Sequence, residues 1–198
     1  LWVGTNDGKV WISRDAGKTW NDLTKNVNMP AWGLVRRIDS SHFDAGTAYM
    51  AVDYHLVDNR DPYLFKTTDF GQTWTRLDAG LPKGHPLDYT LSVAENPHRK
   101  GMLFAGTGHA FFYSNDEGKT WTQFKDKLPA APVNWIEVPK NSPEVAVATY
   151  GRGLWILRDV WQLEQDDAPA AQADLKLLPP LPATRTAAGG TADFVFSL

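Results

Sequence analysis

The sequence predicts an all-β repeat fold, and three observations carry that prediction. One eight-residue phrase occurs three times, as Ser13-Arg14-Asp15-Ala16-Gly17-Lys18-Thr19-Trp20, Thr67-Thr68-Asp69-Phe70-Gly71-Gln72-Thr73-Trp74 and Ser114-Asn115-Asp116-Glu117-Gly118-Lys119-Thr120-Trp121. The copies begin 54 and then 47 residues apart, counting Ser13 to Thr67 to Ser114, close to the period of about 40–50 residues of a four-stranded propeller blade. Each copy also lies between two short strand-like runs, such as Val10-Trp11-Ile12 before the first and Trp20-Asn21-Asp22-Leu23 after it. That context makes the phrase a hairpin turn.

The residues of the phrase suit such a turn. A short Asp side chain accepts backbone N–H groups two or three residues ahead and folds the chain around itself. The Gly two positions later takes positive φ without a Cβ clash. The Ser and Thr hydroxyls close further local bonds, and the Trp opens the next strand with a large apolar surface for a neighbouring blade. Asp15, Gly17 and Trp20, Asp69, Gly71 and Trp74, and Asp116, Gly118 and Trp121 are therefore read as framework residues.

Aligned under one another, the repeats give a four-strand unit, lettered a to d outward from the propeller axis. The first unit, about 1–24, has strand b at 1–5, c at 9–13 and d near 19–24, and lacks strand a. The second, about 35–77, places its strands at 35–39, 47–52, 63–67 and 73–77. The third, about 90–124, places them at 90–95, 102–107, 110–114 and 120–124. A fourth unit, about 134–165, has strands at 134–138, 144–149 and 154–157; Arg158-Asp159-Val160 replaces the turn phrase, and residues 161–165 read as helical. Terminal repeats are commonly atypical, so this unit is expected to be the last blade.

Residues 166–198 change character. The stretch 166–184 is rich in Ala, Pro and Leu and reads as an extended linker, followed by Gly189-Gly190 and a strand-like Asp193-Phe194-Val195-Phe196; the plainer alternative is a disordered tail. The opening Leu1-Trp2-Val3-Gly4-Thr5 matches Leu103-Phe104-Ala105-Gly106-Thr107 in the middle of a repeat. The expectation is a piece of a longer chain. About three and a half blades do not close a ring, and an open arc exposes blade faces and strand edges. The remaining blades are thus the first expected partner.

The three-fold phrase resembles the Asp-box, or BNR, repeat of sialidases, xyloglucanase-type endoglucanases and sortilin-type receptors. With the closing run Thr149-Tyr150-Gly151-Arg152-Gly153-Leu154-Trp155-Ile156-Leu157, residues 1 to about 160 resemble the large bacterial sortilin-like proteins labelled "glycosyl hydrolase, BNR repeat". The resemblance implies an Asp-box β-propeller, a secreted or periplasmic location, and a scaffold that binds peptide or glycan. Its alternative is a glycoside hydrolase using an Asp/Glu pair, partly outside this stretch. The sialidase arginine triad with its Tyr/Glu pair is not assembled from these residues.

Composition narrows the functions. With 20 Lys and Arg against 23 Asp and Glu, the net charge is −3; no basic surface invites nucleic acid. No apolar run is long enough to span a membrane. Absence of cysteine excludes disulfides and thiol catalysis. No zinc spacing, Ser-His-Asp motif or phosphate loop is present, so no metal or cofactor is expected beyond calcium as an open alternative.

In a propeller the b–c and d–a loops share one face and the c–d turns occupy the other, so ligand sites are sought away from the boxes. The longest b–c loop is Asp53-Tyr54-His55-Leu56-Val57-Asp58-Asn59-Arg60-Asp61-Pro62. Carboxylates of Asp53, Asp58 and Asp61 held roughly 5 to 9.5 Å apart would serve glycoside cleavage, or would bind calcium through oxygen. The plainer role is a solvated loop tethered by Arg–Asp pairs. His55 and Arg60 in this loop are ligand-binding candidates. So are Asp7 and His109 in the matching loops, Arg152 in the closing blade, and Trp32 in the d–a loop, where an indole would stack on a sugar ring or pack between blades. Arg36 and Arg37 lie on an inner strand, one expected toward the channel and the other toward the blade interior.

Overall fold

In the computed structural model, residues 1–125 and 128–165 are described; the expected linker and following strand at 166–198 lie outside them. Among the described residues, fourteen strands form four antiparallel sheets. The first sheet contains β1 (Trp2–Gly4), β2 (Val10–Ile12) and β3 (Asn21–Asp22). The second contains β4 (Leu34–Ser40), β5 (Ala48–Asp53), β6 (Tyr63–Thr67) and β7 (Thr75–Arg76). The third contains β8 (Thr90–Glu95), β9 (Leu103–Thr107), β10 (Phe111–Ser114) and β11 (Thr122–Gln123). The fourth contains β12 (Val133–Glu137), β13 (Val145–Thr149) and β14 (Gly153–Leu157), and one helical turn, α1 (Trp161–Glu164), follows it. Each sheet is a simple meander in chain order.

The outer strands are shorter than their patterns suggest, two residues each in β3, β7 and β11. The reason is local: the turn phrase consumes the Thr and Trp that would otherwise begin the strand.

Cores lie between consecutive sheets, as the period-two alternation of strands requires. Met50 and Val52 of β5 pack toward Val10 and Ile12 of the first sheet. The intervening Tyr49 and Ala51 pack toward Val93, Leu103 and Ala105 of the third. Phe104 and Phe111 then meet Ile136, Val145 and Val147 of the fourth. The central strands β5, β8 and β9 are buried along their whole length.

Inner strands are also tied by polar groups. Arg37 reaches from β4 to donate to the Ile136 carbonyl of β12, sits 4.2 Å over the Trp135 ring and pairs with Asp39 at 3.2 Å. A bulge between Val35 and Arg37 separates it from Arg36, which stays on its own sheet and binds Asp53. Buried Glu95 accepts the Tyr49 hydroxyl at 3.1 Å and the His42 N–H at 2.8 Å. Burial first, then the Glu95 charge, pushes the Tyr49 hydroxyl far above its usual range.

The two ends of the arc differ from its middle. Leu1, Val3 and Trp20 are exposed on the first sheet, and Trp135, Leu154 and Ile156 on the fourth. On the inner sheets the counterparts of Trp20, namely Trp74 and Trp121, are half-buried and pack against the hydrophobic clusters between sheets. These apolar end faces are what further blades, or a second copy, would cover.

Candidate functional site

The turn phrases establish which face is which. In each, the Asp carboxylate accepts the N–H and hydroxyl of the Thr four residues ahead: Asp15 from Thr19 at 2.8 and 2.6 Å, Asp69 from Thr73 at 2.9 and 2.6 Å, Asp116 from Thr120 at 2.9 and 2.7 Å. The leading hydroxyl of Ser13, Thr67 or Ser114 donates to the same carboxylate and accepts the Gly N–H. Bonds from the Thr19 side chain and then its backbone hold Asp15 down to about 2. Asp69 is lowered chiefly by the Thr73 hydroxyl. For Asp116 burial is the largest influence and acts upward, but the Thr120 and Ser114 bonds together outweigh it. Such carboxylates are poor proton donors near neutrality.

Positive φ falls on two consecutive residues of each phrase, Ala16-Gly17, Phe70-Gly71 and Glu117-Gly118. The residue before the Gly was not expected to need it. The phrases touch the a–b connections, through Phe70 N–H to the Gly46 carbonyl and Glu117 N–H to the Gly101 carbonyl, both 2.9 Å. Box tryptophans bridge the blades: Trp121 donates to the Leu77 carbonyl at 2.8 Å, and Trp74 meets Trp2 edge-on at 5.8 Å.

On the opposite face the loop 53–62 does not gather its acids. Asp53 is 2% exposed. It takes Arg36 Nη2 at 3.0 Å, the His55 N–H at 2.9 Å and His55 Nδ1 at 2.6 Å. His55 in turn stacks on Tyr89, with centroids 4.5 Å apart. Asp58 sits in the left-handed region with its side chain 97% exposed, 3.9 Å from Arg60. Asp61 is exposed, its N–H bonded to Asn59 Oδ1 at 3.1 Å. Asp53 is a tether for this loop, while Asp58 and Asp61 stand in solvent.

The structure brings Asp7 and Trp32 together instead. They line an open groove of about 460 Å³ with Lys9, Thr24, Met29 and Pro30. Gly8 lies against Gly33, where an added Cβ would stand 3.0 Å from the Gly33 carbonyl oxygen, so the two loops fit closely. Buried Tyr54 supports the d–a loop from below, donating to the Pro30 carbonyl at 2.6 Å, and burial pushes that hydroxyl to about 12. Trp32 has φ of +66° and is 70% exposed. A bulky residue in this conformation costs about 1–2 kcal/mol, and with the side chain mostly in solvent little packing offsets it. Asp7 is bonded to the Thr5 hydroxyl, which lowers its carboxyl ahead of the weaker pull of Lys9 3.8 Å away.

A second grouping escaped sequence reasoning in part. His109 Nδ1 lies 2.9 Å from the Leu87 carbonyl, and its Nε2 faces Asp88 Oδ1 at 3.8 Å. The His85 ring is 4.7 Å from the His109 ring. Only His109 carries a sequence signal, by its place in the b–c loop; His85 and Asp88 arrive from the preceding d–a connection. Arg152 is exposed in the last b–c loop, where its carbonyl accepts Trp155 Nε1 at 2.9 Å.

Comparison with known proteins agrees with this architecture. A family model described as the BNR/Asp-box repeat matches residues 11–22 and 112–123. Vacuolar protein sorting/targeting protein 10 of Laccaria bicolor is 32% identical over 96 residues, 46% of this chain and 6% of that protein. The GH74 xyloglucanase of Xanthomonas campestris superposes over 84% of the chain with a TM-score of 0.63 at 18% identity, and the chain spans 26% of it. The GH74 enzyme of Niastella koreensis does so over 78%, with a TM-score of 0.58 at 17% identity and 26% of its length covered. YCF48 bound to D1 peptide matches over 80%, with a TM-score of 0.55 at 16% identity and 47% of its length covered. The chain therefore spans a quarter to a half of these structures and a small fraction of the curated relative.

Proposed function

The chain carries Asp-box repeats in blades of the β-propeller fold, and we propose that it is a binding scaffold that holds a glycan or an extended peptide on its b–c/d–a loop face. The observation that carries this reading is Trp32, a strained and solvent-facing indole in a groove beside the Asp7 carboxylate. Backbone strain kept with little compensating packing points to use, and an exposed aromatic face next to a polar acceptor suits a sugar ring or a peptide side chain. Exposed Leu56, Val57 and Leu87 in neighbouring loops of the same face add apolar contact area.

Propellers of similar fold include a GH74 xyloglucanase, a second GH74 enzyme and YCF48 bound to D1 peptide. Hydrolysis at this face would need two facing carboxylates. Asp53 is committed to Arg36 and His55, and Asp58 and Asp61 are solvated, so the loop 53–62 itself supports binding rather than cleavage. A secreted or periplasmic location is proposed with it, from the sortilin-like resemblance alone; among the described residues no helix is long and apolar enough to cross a membrane.

The test is a glycan and peptide array probed with the intact protein and with its Trp32→Gly variant, alongside a xyloglucan hydrolysis assay. Binding lost in Trp32→Gly supports the proposal. Hydrolysis that disappears in Asp58→Asn or Asp61→Asn overturns it in favour of the glycosidase.

A further inference from the structure

From the cluster His85, Asp88 and His109 the geometry points to a divalent transition-metal site, of the kind zinc occupies, on the loop face between the second and third sheets. One candidate ligand atom from each of the three side chains lies within 4.8 Å of the other two. The strongest mark is Asp88. It is 1% exposed, its Oδ2 accepts the His85 N–H at 2.7 Å, and its Oδ1 is buried without any hydrogen-bond donor. A buried carboxylate oxygen left unsatisfied is costly, and natural structures fill such positions with a donor, water or a cation.

The tautomer of His109 makes a cation the better answer. Its Nδ1 lies 2.9 Å from the Leu87 carbonyl, and a carbonyl accepts but never donates. Nδ1 therefore carries the proton, and in the neutral ring Nε2 presents a lone pair. That lone pair faces Asp88 Oδ1 at 3.8 Å, acceptor to acceptor. A backbone carbonyl on the distal nitrogen is also the usual way a metal-binding imidazole is oriented. Around a tetrahedral ion at about 2.0–2.2 Å from each ligand, donor atoms lie roughly 3.4 Å apart, so the cluster needs a contraction of up to about 1.4 Å. Exposed His85 can provide it: its ring accepts the Leu87 N–H at Nδ1 at a long 3.2 Å, and coordination replaces that bond.

Two imidazoles and one carboxylate suit zinc and its neighbours rather than calcium, which takes six to eight oxygens. Three protein ligands leave the fourth position facing the open loop surface, where water or a ligand oxygen completes it. The site does not depend on Trp32 binding a glycan or peptide.

The experiment is calorimetric titration of chelator-stripped, untagged intact protein with Zn2+, repeated with Co2+ and read by visible absorption. The expected result is one equivalent of Zn2+ that is lost, or weakened at least about tenfold, in both His85→Ala and His109→Ala but kept in His98→Ala. Co2+ should develop the intense bands of a low-coordinate site. Asp88→Asn keeps an acceptor for the His85 N–H and removes the charge, so it should weaken Zn2+ while leaving the melting temperature near that of the parent. If the parent binds no Zn2+, or if His85→Ala and His109→Ala bind it with the parent's stoichiometry and affinity, the site does not exist.

Discussion

The turn phrase makes two separate demands on its glycine, and substitution can separate them. Gly71 has φ of +82°, and an added Cβ would lie 2.4 Å from Leu23 Cδ1 and 3.2 Å from the Trp2 ring of the preceding blade. Gly151, in the last b–c loop, has φ of +78° with nothing within 4 Å of an added Cβ. Gly151→Ala therefore pays the left-handed backbone alone, about 1 kcal/mol. Gly71→Ala adds overpacking against Leu23 and Trp2, about 1–3 kcal/mol more, for a total near 3 kcal/mol. In a folded unit of this size each kcal/mol moves Tm by about 2–4 °C. Thermal unfolding of the intact protein should then show Tm falling by about 6–12 °C for Gly71→Ala and about 2–4 °C for Gly151→Ala. Equal shifts would refute the reasoning, because they would mean the box glycine serves the turn and not the blade interface.

Other outcomes follow from the same geometry. Asp53→Ala removes the acceptor shared by Arg36 and His55 and should cost about 2–3 kcal/mol in urea unfolding, whereas Asp58→Ala, in solvent, should stay within about 0.5 kcal/mol of the parent. Carboxyls of Asp15, Asp69 and Asp116 are held below their ordinary values, so their stabilisation is complete above the unfolded-state pKa of about 4 and is lost as pH falls toward 2. Melting curves between pH 5 and pH 2 should steepen that loss in the parent relative to a triple Asp→Asn variant. Trp32→Gly relieves the left-handed strain and should leave Tm unchanged or raised by a few degrees, while binding of array-identified ligands falls at least about tenfold.

Local chemistry explains how much was legible in the sequence. The three boxes disclosed the turns, the sheets and their order because each box is satisfied by its own residues, from Ser13 to Thr19 and equivalently later. The blade alternation was legible for the same reason: Tyr49, Met50, Ala51 and Val52 alternate faces in any strand. The candidate site was less legible because it depends on distant partners. Nothing near Asp53 announces that Arg36, 17 residues earlier, will bury its charge. Trp32 reads as either a sugar-stacking or an interblade aromatic, and its positive φ and exposure are seen only in the structure. His85 and Asp88 become interesting only when the next hairpin brings His109 beside them. The second positive φ of each box was also hidden, because Ala16, Phe70 and Glu117 share no side-chain feature.

The central claim is that the boxes are framework and that ligands are held on the opposite loop face. Hydrogen-exchange footprinting of the intact protein with an array-identified glycan or peptide tests it most directly. Protection is predicted at residues 5–9 and 28–33, with no change at 13–20, 67–74 and 114–121. Protection concentrated in those three box segments, with the loop face unchanged, would contradict the account.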